Sequence, residues 1–89
     1  MDNLESLRKE IDRLDRSMIE LLHDRFLAVS KIGKIKKSQN LPSLDGSRWQ
    51  KVLDSRLAWA EEVGVDRDFI KKILDLIHSE ALRIEDNDK

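Results

Sequence analysis

A helical pattern runs from Leu4 to Ser38 with no residue that stops it, in a chain of only 89 residues. Its apolar positions form two seven-residue series. Leu4, Ile11, Met18 and Ile32 make one, and Leu7, Leu14, Leu21, Ala28 and Ile35 make the other. Interleaved, they give the stripe by which one helix packs on another. Gly33 is the only weak helix former in the run, at a cost of about 1 kcal/mol relative to alanine where exposed. Such a helix is a rod of roughly 52 Å at about 1.5 Å per residue. A compact monomer of this length has a radius of gyration of about 12 Å. The rod must project from it, and its stripe requires cover from another chain.

The rest of the composition narrows how that cover is supplied. A chain this short forms a single domain, residues 1–89, with a small core that needs a disulfide, a metal or a partner. It has no cysteine, which excludes disulfides and suits a reducing cytoplasm. Its two histidines, His23 and His78, lie far apart with no local partner at metal-ligand spacing, so no metal is expected. A formal net charge of -1 argues against a dedicated nucleic-acid binder. The N-terminus lacks the charged start and apolar core of a secretion signal, and no apolar run approaches a membrane span. A homodimer remains.

Beyond the rod, Gln39 to Asp45 holds Asn40, Pro42 and Ser43 and reads as a loop, with Asp45 placed to cap the next helix. That second helix is predicted from about Gly46 to Val63, with Trp49, Val52, Leu53, Arg56, Trp59, Ala60 and Val63 along one side and Trp59 in the core. Gly64 is a C-terminal stop and Asp66 the next N-cap. A third helix is predicted from about Arg67 to Glu85, with Ile70, Ile73, Leu74, Ile77, Ala81 and Ile84 inward and His78 merely on its face. No strand pattern is present. The fold class is all-α: three helices with a very long first one, in a helical homodimer.

Charges interrupt the apolar stripe. Arg25 takes a place in the series of Leu4, Ile11, Met18 and Ile32, where a buried guanidinium is costly without an anion. Lys36 comes eleven positions later, about three turns plus 20°, and so shares that face roughly 16 Å away. Arg8 lies beside the stripe between Leu4 and Ile11. Two readings fit these cations. A seam arginine can pair with a glutamate on another helix and fix register, while Arg8 and Lys36 snorkel to solvent. Alternatively, the three cations line an anion site between helices. The pattern alone leaves both open.

The order of these residues resembles the AroQ chorismate mutases. The family's L-R-x-x-I-D-x-L-D, L-L-x-x-R and V-x-x-I-G-x-x-K elements correspond to Leu7-Arg8, Ile11-Asp12, Leu14-Asp15, Leu21-Leu22, Arg25, Val29, Ile32-Gly33 and Lys36. The D-x-x-R that opens its second helix is Asp45 and Arg48. The resemblance covers nearly the whole chain. It implies an intertwined dimer in which each long helix crosses into the other subunit, and the rearrangement of chorismate to prephenate in phenylalanine and tyrosine biosynthesis. By the same resemblance, Arg25 and the partner subunit's Arg8 would grip the two substrate carboxylates. Lys36 would hydrogen-bond the ether oxygen, and Asp45 and Arg48 would line the pocket and orient the remaining groups. The family's third-helix serine and glutamine or glutamate fall on Ala81 and Glu85, the latter at the ether oxygen.

Two departures stand out. Ala81 lacks the hydroxyl expected near the ring carboxylate. Trp49 stands where many relatives have a glutamate that accepts the substrate hydroxyl, and an indole only donates. They leave open two alternatives: a lyase that eliminates pyruvate from isochorismate on the same scaffold, and a catalytically weak regulatory or dimerisation domain of an aromatic-pathway enzyme. The implied reaction needs no cofactor, since it is an intramolecular exchange of a carbon–oxygen for a carbon–carbon bond.

Overall fold

A computed structural model describes residues 3–87 as three helices, α1 (Leu4–Ser38), α2 (Gly46–Val63) and α3 (Arg67–Asn87). Each start is chemically marked. The Asn3 side chain accepts from the Ser6 amide at 2.8 Å, while the Ser6 hydroxyl accepts from the Asn3 amide at 3.1 Å, a reciprocal capping box at α1. Asp45 accepts from the Arg48 amide at 3.1 Å and Asp66 from the Phe69 amide at 2.9 Å. The ends are marked too. Asn40 turns left-handed at φ 56° and Gly64 at φ 78°, and the Leu41 and Val65 amides then close back on the Lys36 and Ala60 carbonyls.

The boundaries of α1 and α2 match those predicted, and α3 continues two residues beyond Glu85. That extra turn is held in part by Asp86, whose carboxylate accepts from the Ser43 hydroxyl at 2.6 Å.

Helix α3 packs on both α1 and α2. The molecule measures 57 × 24 × 15 Å with a radius of gyration of 16.3 Å, well above the ~12 Å of a compact chain of this length. The α1 rod therefore projects as the stripe predicted, and its N-terminal half carries Leu4, Leu7, Ile11, Leu14, Met18 and Leu21 exposed. The buried core is small: Val52, Leu53, Leu57, Ala60 and Ala81.

The inner face of α2 differs from the predicted one. Leu57 is buried, whereas Val63 is exposed and Trp59 is 54% exposed. Packing against α3 alone leaves α2 one narrow covered stripe, and Trp59 falls outside it. Its ring is instead covered by the Arg56 guanidinium, 4.8 Å from the ring centroid, a cation–π contact on the surface. Among the described residues no helix is long and apolar enough to cross a membrane, and no group of three His, Cys, Asp or Glu side chains is placed to hold a metal ion.

Candidate active site

Helices α1 and α3 approach closely at Gly33, the only buried residue of α1. A β-carbon there would stand 3.0 Å from the Glu85 α-carbon. Glycine at this point lets α1 and α3 come together one turn before Lys36, and so fixes how Lys36 meets Glu85.

That meeting forms one wall of a cavity of about 290 Å³ between the C-terminal half of α1, the 39–45 loop, and α2 and α3. The Lys36 Nζ donates to the Ser43 carbonyl at 2.6 Å and lies 2.8 Å from Glu85 Oε1. The Glu85 side chain is only 8% exposed. Its Oε1 is close to the ammonium, but the angle does not make a hydrogen bond, so this oxygen keeps free hydrogen-bonding capacity among the described residues. The attraction is electrostatic, set by the 2.8 Å separation.

Arg25 faces the same cavity one helical stretch away. Its Nη1 is buried and has no hydrogen-bond partner among the described residues. Burial, and then the neighbouring Arg56 and Arg48 guanidiniums, push its pKa down from the ordinary arginine value. An arriving anion would relieve both the missing partner and the crowding of like charges. Of the two readings the sequence left open for Arg25, pairing with a glutamate within this subunit is not seen among the described residues.

Asp45 and Arg48 line the mouth. The Arg48 amide and the Ser47 hydroxyl donate to Asp45 and hold its carboxyl below the usual carboxylate range. Trp49 is half-buried, and Ala81 is buried in the cavity wall. Thus Arg25, Lys36, Asp45, Arg48, Trp49, Ala81 and Glu85 are brought together. Arg8 is not. It is exposed on the projecting half of α1, seventeen positions before Arg25 and so roughly 25 Å away along the axis.

Two polar lining residues escaped the sequence reading. Ser43 contributes a backbone carbonyl to Lys36, for which no side-chain pattern exists. His78, read as a mere helix-face residue, stacks on Trp49 with ring centroids 3.8 Å apart and planes 7° from parallel. Its spacing held the signal: His78 precedes Ala81 by three positions and Glu85 by seven, the repeat of one helix face.

A site of this kind, small, cationic and lined by a lysine–carboxylate pair, holds a compact organic anion and not a macromolecule. Residues 7–86 match the family described as chorismate mutase type II. The T-protein of Haemophilus influenzae is 39% identical over 74 residues, which cover 83% of this chain and 20% of that protein. A bifunctional chorismate mutase/prephenate dehydratase of Aquifex aeolicus is 38% identical over 63 residues, covering 71% of this chain and 17% of that protein. A 4-amino-4-deoxychorismate mutase of Streptomyces venezuelae is 28% identical over 85 residues, covering 96% of this chain and 82% of that protein. The chain belongs to the chorismate mutase type II family. It spans about a fifth of the length of the T-protein that it matches.

Proposed function

We propose that this domain is a chorismate mutase, an isomerase converting chorismate to prephenate in aromatic amino-acid biosynthesis. The observation that carries the reading is the Lys36–Glu85 pair in one small cavity with Arg25, whose buried Nη1 has no hydrogen-bond partner among the described residues. In this reading Arg25 takes one substrate carboxylate in a charge-assisted contact, and the partner subunit's Arg8 takes the other. Arg48 and Asp45 orient the remaining groups at the mouth, while Trp49 and Ala81 shape the wall. The dianion is thereby held in the compact, chair-like conformer in which the new carbon–carbon bond can form.

Chemistry then needs only donors at the ether oxygen. As the carbon–oxygen bond stretches, negative charge grows on that oxygen. The Lys36 ammonium, fixed by the Ser43 carbonyl, donates to it, and a protonated Glu85 donates from the other side. An ionised Glu85 would repel the same charge, whereas a protonated one donates to it. No nucleophile or cofactor takes part.

The working unit in this reading is a homodimer. The exposed apolar series on α1 supplies the surface for it, and a second copy supplies the Arg8 that one subunit cannot bring to its own cavity. The cytoplasm is the compartment that fits a cysteine-free chain with this substrate.

One experiment separates this reading from its rivals. Purified protein is incubated with chorismate, with isochorismate and with 4-amino-4-deoxychorismate, following substrate absorbance and identifying the product. Prephenate from chorismate supports the proposal. Pyruvate release from isochorismate alone makes the domain a lyase, and conversion of the amino substrate alone makes it a mutase of that compound. No turnover of any of the three leaves a regulatory or dimerisation domain.

A further inference from the structure

The cavity beside Trp49 has a composition of its own. Trp49 can donate a hydrogen bond but cannot accept one, and Arg25 and Arg48 only donate. The Asp45 carboxylate already accepts from the Arg48 amide and the Ser47 hydroxyl, and Glu85 lies 2.8 Å from the Lys36 ammonium. A substrate that brings a hydroxyl or amine donor beside Trp49 meets in His78 an acceptor in direct contact with that indole. Neither His78 ring nitrogen has a hydrogen bond among the described residues, although the side chain is half-buried and lines the cavity.

We propose that His78 is a substrate-binding residue, whose imidazole, held face to face against Trp49, accepts a hydrogen bond from the donor group on the substrate ring. The inference rests on the mutase reading and adds to it the residue that recognises the ring substituent. The stack gives the ring its orientation. With one face committed to the indole at 3.8 Å and only 7° off parallel, the imidazole keeps its edge, where the nitrogens are, free of the stack. Burial also lowers the His78 pKa, ahead of the opposing pull of Asp75 and Glu85, which keeps a nitrogen lone pair available near neutral pH. The role is one of specificity. The bare nitrogen of a neutral imidazole accepts from a hydroxyl or an amine alike, and that nitrogen offers nothing to a substituent that has no hydrogen to donate.

The test uses the whole chain, two variants and two ligands: chorismate, and chorismate methylated on its ring hydroxyl. His78→Phe keeps a flat ring to stack on Trp49 and removes the acceptor. His78→Gln removes the ring and keeps an acceptor. The expected result is a loss of about five- to tenfold in kcat/KM for chorismate in His78→Phe, with most of it restored in His78→Gln. The wild type should discriminate against the methyl ether by about the same factor, and His78→Phe should not discriminate. Tryptophan fluorescence titrations of both ligands give the same comparison for binding alone. Wild-type turnover with His78→Phe unchanged, or with the ether rejected equally by both proteins, overturns the role of His78 and leaves the mutase reading standing. A wild type that binds chorismate without turnover overturns the mutase reading, while the fluorescence comparison still decides His78. A wild type that neither binds nor converts chorismate overturns both.

Discussion

A β-carbon on Gly33 would stand 3.0 Å from the α-carbon of Glu85 and 3.2 Å from its γ-carbon. The first of these neighbours is backbone, which cannot swing aside as a side-chain tip does, so α1 and α3 must part by a few tenths of an ångström to admit even a methyl group. Gly33→Ala gains about 1 kcal/mol of helix propensity and loses about 1–3 kcal/mol to overpacking, so a slightly lowered Tm is expected. The larger effect falls on the Lys36–Glu85 geometry. We expect kcat to drop by roughly tenfold or more, because ångström-scale misplacement of a donor is costly in catalysis. Steady-state kinetics beside thermal melts checks both halves, and Gly33→Val should be worse in each.

Much of this arrangement was legible in the sequence, for identifiable reasons. The extents of α1 and α2 come from an unbroken heptad stripe and from the stop and cap residues at Asn40, Asp45 and Gly64, all local chemistry. Arg25 and Lys36 stood out because they break or share that stripe. Trp59 misled because its spacing fits an inward face, yet α2 is covered by one neighbour only, too little to bury a ring so far round the helix. His78 was missed because an isolated histidine on an amphipathic helix has no local partner, and its stacking partner Trp49 lies on another helix. The Ser43 carbonyl carries no side-chain signature, so its hold on Lys36 could be seen only in three dimensions.

Assembly and folding should be inseparable. With Leu4, Leu7, Ile11, Leu14, Met18 and Leu21 exposed on the projecting half of α1 and a core of few buried side chains, one subunit lacks the apolar burial that a stable fold requires. Analytical ultracentrifugation over a dilution series, paired with circular dichroism, should show helicity lost as dimer dissociates. A helical, cooperatively melting monomer would be the contrary result.

Sharing of the site between subunits makes a complementation prediction. Arg8→Ala and Arg25→Ala should each lose most activity, about a hundredfold or more, since each removes a charge-assisted contact to a carboxylate. Mixed and allowed to exchange subunits, the two inactive proteins should recover part of the rate, because one site of each mixed dimer is assembled from two intact arginines. Exchange without recovery would place both arginines outside a common site.

The His78 pKa gives a pH dependence with a defined sign. The group is depressed in the folded chain by burial, while Arg25 and Lys36 from α1, Arg48 and Asp45 from the α2 end, and Asp75 and Glu85 from α3 stand around it. The unfolded chain therefore binds the proton more readily, and the stability this group contributes is present above its unfolded value of 6.5 and is lost as pH falls below it. Denaturant titrations between about pH 7 and 5 should show the wild type losing stability that His78→Gln retains.

In the proposed mechanism Lys36 and Glu85 act together as donors to a breaking ether bond. The most direct test is the pH dependence of kcat with chorismate for the wild type and for Glu85→Gln. A carboxyl donates only while protonated, whereas the amide donates at every pH. Wild-type kcat should fall on the alkaline side, and Glu85→Gln should have a similar rate at acidic pH with its alkaline fall flattened. Two profiles that fall in parallel would contradict this mechanism and remove Glu85 from the reaction.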